Sequence, residues 1–185
     1  MKRSGFKGLV AAGIMATTLA STTSVVSAST DIFLKLSGIK GESQDSKHKD
    51  EIEVLSWSWG LSTGDAKVKR GTIAPKCIQD LQLTKFTDSS SPQLIMNGVM
   101  GQTAKEGTLT MRKAGKEQQE FLIIKMTDVL VSSYQTGGAA GSNLNLTDAV
   151  TLSFSSISGE YRTQRDDGSL GSPVLFQIDS TCPDK

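Results

Sequence analysis

Apolar and polar residues alternate from position 31 to 37, with Ile32, Leu34 and Leu36 on one side. That two-residue period predicts a strand. Residues 51–61 predict a second, in which Leu55, Trp57, Trp59 and Leu61 share one face and Ser56, Ser58 and Gly60 the other. Val54 beside Leu55 breaks the alternation, which predicts a bulge or a strand end buried on both faces. Residues 38–50 between these strands are polar and hold two glycines, so they read as a long connection; residues 62–76 read as a loop. A third strand is expected over 77–87. One helix is expected over 89–98, with Ser91 as its cap, Pro92 at its first position, Leu94, Ile95 and Met96 on its buried side and Asn97-Gly98 at its end. Further strands are expected over 107–113 and 119–134, joined by the turn Ala114-Gly115-Lys116. A Gly-rich connection at 136–145 leads to strands over 148–156, 159–164 and 174–179, the last two separated by the turn at 166–173. Many short strands and a single capped helix predict a mainly β fold, an antiparallel β-barrel with one short flanking α-helix.

The first 28 residues follow another pattern. Lys2, Arg3 and Lys7 precede a twelve-residue apolar run at 9–20, and Val26-Ser27-Ala28 offers small side chains after it. That is the layout of a secretory signal peptide. The run is shorter than the ~20 residues that span a bilayer. The expected organisation is a signal peptide at 1–28 and one barrel domain at 29–185. Removing the leader takes three of the chain's 20 basic residues and none of its 19 acidic ones, which leaves a net charge of −2. With no basic excess, neither nucleic acid nor an anionic membrane is an expected partner. Cys77 and Cys182 both survive cleavage. In an exported chain they can pair or remain two free thiols; a bridge closing about 100 residues stabilises by ~4–5 kcal/mol in the chain-entropy account.

Catalytic signals are weak. The single histidine, His48, precludes a histidine cluster for zinc, and it sits among Lys47, Lys49 and Asp50 as a surface or structural residue. No Gly-x-Ser-x-Gly elbow occurs. Thr136-Gly137-Gly138 lacks the Gly-Lys-Ser/Thr of a phosphate loop, and Asp166-Asp167-Gly168 reads as turn chemistry. No enzyme activity, metal or cofactor is expected.

Gly41-Glu42-Ser43, His48, Glu51-Ile52 and Trp57-Ser58-Trp59-Gly60 form a dense polar-to-aromatic signature. It continues in order through Gln79-Asp80-Leu81 with Thr84-Lys85, Ser91-Pro92 with Leu94-Ile95-Met96, and Leu109-Thr110-Met111-Arg112-Lys113-Ala114-Gly115. Val129-Leu130-Val131-Ser132-Ser133 with Thr136-Gly137-Gly138, then Val150-Thr151-Leu152-Ser153-Phe154, complete it. Together these resemble the Hcp family, the ring-forming tube proteins of bacterial type VI secretion. The resemblance implies a β-barrel with a short helix, six copies in a ring, and rings stacked into a tube. It also implies a contractile sheath, a spike protein at the tip and small effector proteins in the lumen as partners. Ser58 is then expected on the lumen-facing wall, and Trp57 and Trp59 as core or interface anchors. Lys67, Lys69 and Arg70 are expected in a contact loop between subunits or rings.

The leader and the cysteine pair depart from that family, and they agree with each other, because a disulfide forms only after export. They support an alternative, a periplasmic or secreted Hcp-like binding or adhesion module outside any contractile tube. The expected location is secreted or periplasmic, with cytoplasmic assembly if the leader does not function. Native protein recovered from the periplasm should begin at Ser29 on N-terminal sequencing; a chain still starting at Met1 there refutes cleavage.

Overall fold

A computed structural model of the chain describes residues 30–63, 76–113, 118–139, 146–165 and 167–179. The expected leader at 1–28, the contact-loop residues Lys67, Lys69 and Arg70, Cys182 and the side chain of Cys77 lie outside the described residues. The elements are β1 (Thr30–Leu36), β2 (Ile52–Ser58), β3 (Leu61–Thr63), β4 (Lys76–Ile78), β5 (Leu81–Phe86), α1 (Ser91–Met100), β6 (Thr103–Lys113), β7 (Glu120–Gly137), β8 (Thr147–Ser153), β9 (Ser156–Gln164) and β10 (Leu170–Asp179).

β7 closes the sheet because it is long enough to take two partners along one edge. Leu122 to Thr127 pair with β9, and Leu130 to Gly137 pair with β8. Between the two stretches Asp128 adopts a left-handed backbone, φ 50°. A short polar side chain such as Asp tolerates that region better than the β-branched residues around it. Strands β7, β6, β1, β2, β5 and β8 therefore form a closed six-stranded antiparallel barrel, and β9 and β10 extend from the first half of β7. Alternation fills the interior with Leu34, Leu36, Leu81, Leu83, Leu109, Ile124, Val150 and Leu152.

The bulge expected at Val54-Leu55 is present, and it reverses the face rule along β2. Ile52 and Val54 are buried, the register against β5 shifts between Val54 and Ser56, and Trp57 then faces in. An extra residue on one strand exchanges even for odd positions. Leu55 is consequently 45% exposed and does not share a face with Trp57 and Trp59; Leu61 is also exposed.

Other boundaries differ from expectation. The stretch over 77–87 breaks into β4 and β5 at Gln79-Asp80, and β3 and β4 pair as a small second sheet. The helix cap is Ser90, not Ser91, and the helix runs on to Gly101, whose left-handed backbone (φ 62°) ends it. Only Ser91 and Leu94 of α1 are buried, so Ile95 and Met96 do not form its buried side. One ten-residue helix lies on β7 along a narrow line, and Leu94 alone reaches the core.

The polar connection before β2 has its own packing. Gly41 has no room for a side chain, since a Cβ there would sit 2.4 Å from the carbonyl oxygen of Glu51. Ser43 is buried; its N–H donates to Glu51 O at 3.1 Å and its carbonyl accepts from Asp50 N–H at 3.0 Å. Glu42 Oε1 accepts from Ser89 N–H at 2.9 Å, which ties the connection to the approach of α1. His48 is buried despite its charged neighbours, stacked 4.3 Å from Phe33 with its Nδ1 2.9 Å from Glu51 Oε2. Arg112 covers Phe33 as well, at 4.8 Å from the ring centre, and donates from Nη1 to Asp45 Oδ1 at 2.9 Å. Phe33 stands outside the main core cluster, so the connection builds a second small core over β1 and β6. Gly41→Ala should lower the stability of the barrel by at least ~2 kcal/mol in urea unfolding, because backbone must move to admit a methyl group; a loss within ~0.5 kcal/mol refutes the contact.

Candidate functional site: a neutral polar wall

The second half of β7 lies with β8, β5 and β2 in one four-stranded face. Register places its side chains in level rows. Trp57, Leu83, Val150 and Tyr134 form a row turned toward the core. The rows on either side of it turn outward. One is Ser58, Gln82, Thr151 and Ser133; the other is Ser56, Thr84, Ala149 and Gln135. The eight outward residues are uncharged and line an open depression of about 360 Å³. A register shift in β7 between Val131 and Ser133 brings Ser133 and Gln135 to the outer face, as the bulge in β2 does for Ser56 and Ser58.

Ser58 is exposed on this face, on the side opposite to the tryptophans. Trp57 and Trp59 are half-buried and pack on the core, and Trp59 stacks on Phe176 of β10 at 5.9 Å. The other members of the rows were not singled out from sequence. Small or polar uncharged residues alternating with core residues, at Gln82 and Thr84 and at Ala149 and Thr151, carry the signal, but only cross-strand register joins them to Ser58.

Both sides of this face end in unpaired backbone. Among the described residues, β2 pairs with β1 only at Ile52 and Glu53, and β7 pairs with β6 no further than Leu130. Residues 54–58 and 131–137 thus offer free edges on opposite sides of one sheet. Edges of this kind are templates for another strand.

Behind the wall lies a sealed ionic group. Lys85 and Asp148 are both wholly buried. Lys85 Nζ donates to Phe86 O and Asp88 Oδ1, each at 2.7 Å, to Ser91 Oγ at 2.9 Å and to Asp148 Oδ2 at 3.1 Å. Asp148 also accepts from Ser91 Oγ at 2.6 Å and from Thr87 Oγ1 at 2.8 Å. Burial opposes its charge, yet the hydrogen bonds led by Ser91 hold Asp148 well below the usual carboxylate range. Burial, and then the neighbouring Asp148 carboxylate, push the Tyr134 hydroxyl up to about 12. Serine, lysine and aspartate are residue types found in nucleophilic sites. Here the Ser91 hydroxyl proton is committed to Asp148 and no substrate can reach it, so the group acts as a tie between β5, β8 and α1.

Residues 33–161 match the family model described as "Type VI secretion system effector, Hcp". The chain is 44% identical over 150 residues to protein hcp1 of Pseudomonas aeruginosa, an alignment covering 79% of this chain and 92% of that one. Its fold is similar to the crystal structure of Hcp1 from Salmonella typhimurium, with TM-score 0.66, 33% identity, and coverage of 81% of this chain and 94% of the other. A solved structure of a type six secretion system protein superposes with TM-score 0.76 at 28% identity, over 82% of this chain and 96% of its own.

Among the depressed carboxylates, the two that tie elements together, Asp45 and Asp148, set the response to acid. Arg112 holds Asp45 below the usual range as the hydrogen bonds hold Asp148. In an unfolded chain such groups titrate near ~4. Their contribution is complete above that value and is lost as pH falls through the lower folded-state values. Stability in urea should therefore hold down to about pH 5 and fall steadily below about pH 4. Asp148→Asn should cost ~3–5 kcal/mol at pH 7, because it strips a charge partner from buried Lys85, and should flatten the acid slope. An unchanged acid slope in that variant refutes the assignment.

Proposed function

The chain belongs to the Hcp family of type VI secretion proteins, and from that premise we propose that it builds rings whose inner wall is the neutral face of β2, β5, β8 and β7. Its function is that of a structural secretion protein, a tube component and effector carrier. The periplasmic or secreted binding or adhesion module is not the favoured reading.

The observation that carries the ring is the pair of free edges flanking the polar rows. β2 and β7 run in opposite directions at the two sides of an antiparallel four-stranded face, so β7 of one copy meets β2 of the next as an antiparallel pair. Such a contact joins two different surfaces head to tail and closes when the rotation per copy divides a full turn. Hexameric rings of the family give six copies. The rows of Ser58 and Ser56 then continue from copy to copy around a lumen lined by hydroxyl, amide and methyl groups. A wall without charge neither attracts nor repels a protein by its net charge, which suits the passage of varied small effectors. Ser58 is the first of these lumen contacts, and Trp57 and Trp59 anchor the strand that bears it.

A spike protein and a sheath are the remaining partners that family membership suggests, and the basic residues Lys67, Lys69 and Arg70 are proposed as a contact loop to a neighbouring subunit or the next ring. A signal peptide at 1–28 and a Cys77–Cys182 disulfide are proposed of the chain itself, and the disulfide requires that the leader function in export. Light scattering of residues 29–185 should give a mass near six times that of one chain. A species that stays monomeric at every attainable concentration sinks the ring.

A further inference from the structure

The small core over β1 and β6 holds a titratable ring between two carboxyl groups. His48 is only 5% exposed. Its Nδ1 lies 2.9 Å from Glu51 Oε2 in its own connection, and its Nε2 lies 3.5 Å from Glu120 Oε1 at the start of β7. Asp45, also in the connection, accepts from the backbone N–H of His48 at 3.2 Å. Arg112 of β6 covers the same Phe33 ring on which the imidazole stacks, and Asp31 of β1 is held on Arg112. These are the charged groups that meet His48 from the connection, β1, β6 and β7.

One proton on the ring does not serve both contacts. A neutral imidazole that donates from Nδ1 to Glu51 keeps a lone pair on Nε2. That lone pair faces Glu120, and Nε2 has no hydrogen-bond partner among the described residues. An unmade bond on a buried nitrogen is unfavourable. A second proton removes the mismatch, because imidazolium donates from both nitrogens and the Nε2 contact becomes a charge-assisted hydrogen bond. Glu120 has an alternative position. Its side chain is about a third exposed, beside a depression of about 400 Å³ that Lys47 and Arg162 also line. The register of β7 against β6 shifts between Met111 and Arg112, next to where Glu120 pairs, so the regular ladder does not fix this strand end. The carboxyl group of Glu120 is free to face His48 or to turn toward those cations.

We propose that His48 is a proton-operated clip. With two protons it ties the 38–50 connection to the start of β7 through Glu120; with one it releases that strand end. The sign follows from the partners. Only the charged ring makes both contacts, so the clip is closed on the acid side. It opens as pH rises through the range in which histidine side chains change charge, between about pH 5 and 8. The device belongs to a single copy and does not depend on the ring.

The test compares amide hydrogen exchange of the full chain with that of Glu120→Ala, at about pH 5.5 and about pH 8. Because the Glu120 side chain is partly exposed, the variant should fold. At the lower pH, the amides of residues 120–122 should exchange about tenfold more slowly in the wild type than in the variant, the effect of one charge-assisted hydrogen bond. At the higher pH the two should exchange alike. Amides of the barrel strands β5 and β8 should match at both values. In parallel, nitrogen-15 spectra of the His48 ring should show imidazolium at the lower pH and a ring protonated on Nδ1 alone at the higher. The same ratio of wild-type to variant exchange at both values overturns the proposal. So does a ring that keeps one protonation state across the range.

Discussion

One buried ammonium group organises the molecule. Lys85 has no contact with solvent, and its acceptors come from its own strand's end, from the approach to α1, from α1 itself and from β8. A charge in that setting is tolerated only while every partner stays in place. The position of the helix on the barrel, the pairing of β5 with β8 and the direction in which the chain leaves Phe86 are thereby set together. A hydrophobic residue at the same point could pack in several ways. A lysine with four acceptors packs in one. The polar wall inherits this order, because Gln82 and Thr84 precede Lys85 on β5, and Ala149 and Thr151 follow Asp148 on β8.

Much of this was legible in the sequence. Period-two alternation located most strands, and the barrel with one helix followed from their number and spacing. The order of motifs identified the family, and Ser58 lay on the outward face as expected. The misreadings have a common cause. Leu55 looked like a partner of Trp57 because face assignment counts residues, and a bulge adds one. Ile95 and Met96 looked buried because they are apolar, although a helix on a narrow line of contact has room for few inward residues. Nothing local marked Lys85 as buried or decided between a surface and a structural His48, because polarity is a local property and burial is not. Loop 38–50 and the strands it covers meet only in three dimensions.

Charge is distributed by layer. The outward rows of the four-stranded face are neutral, while Arg112, Asp45, Asp31 and Glu51 gather over β1 and the end of β6 on the other side of the barrel. Arg112, the cation of that group, is paired at close range with Asp45 and Asp31, so its field is short. A molecule in contact with the neutral face therefore meets hydrogen-bonding groups whose strength varies little with ionic strength. Binding and release on such a surface depend on shape and on exchange with water rather than on ion pairing.

β7 has a mechanical consequence. A single continuous chain of peptide bonds runs from the outer ribbon of β9 and β10 into the face shared with β8. A push applied to that face along the strand direction is carried by covalent backbone past Asp128 and spread over the ladders on both sides. Those ladders lie across the load, so their hydrogen bonds must yield many at once instead of opening one after another. The arrangement favours survival under a sudden load, because resistance to fast loading depends on the barrier to rupture and not on equilibrium stability.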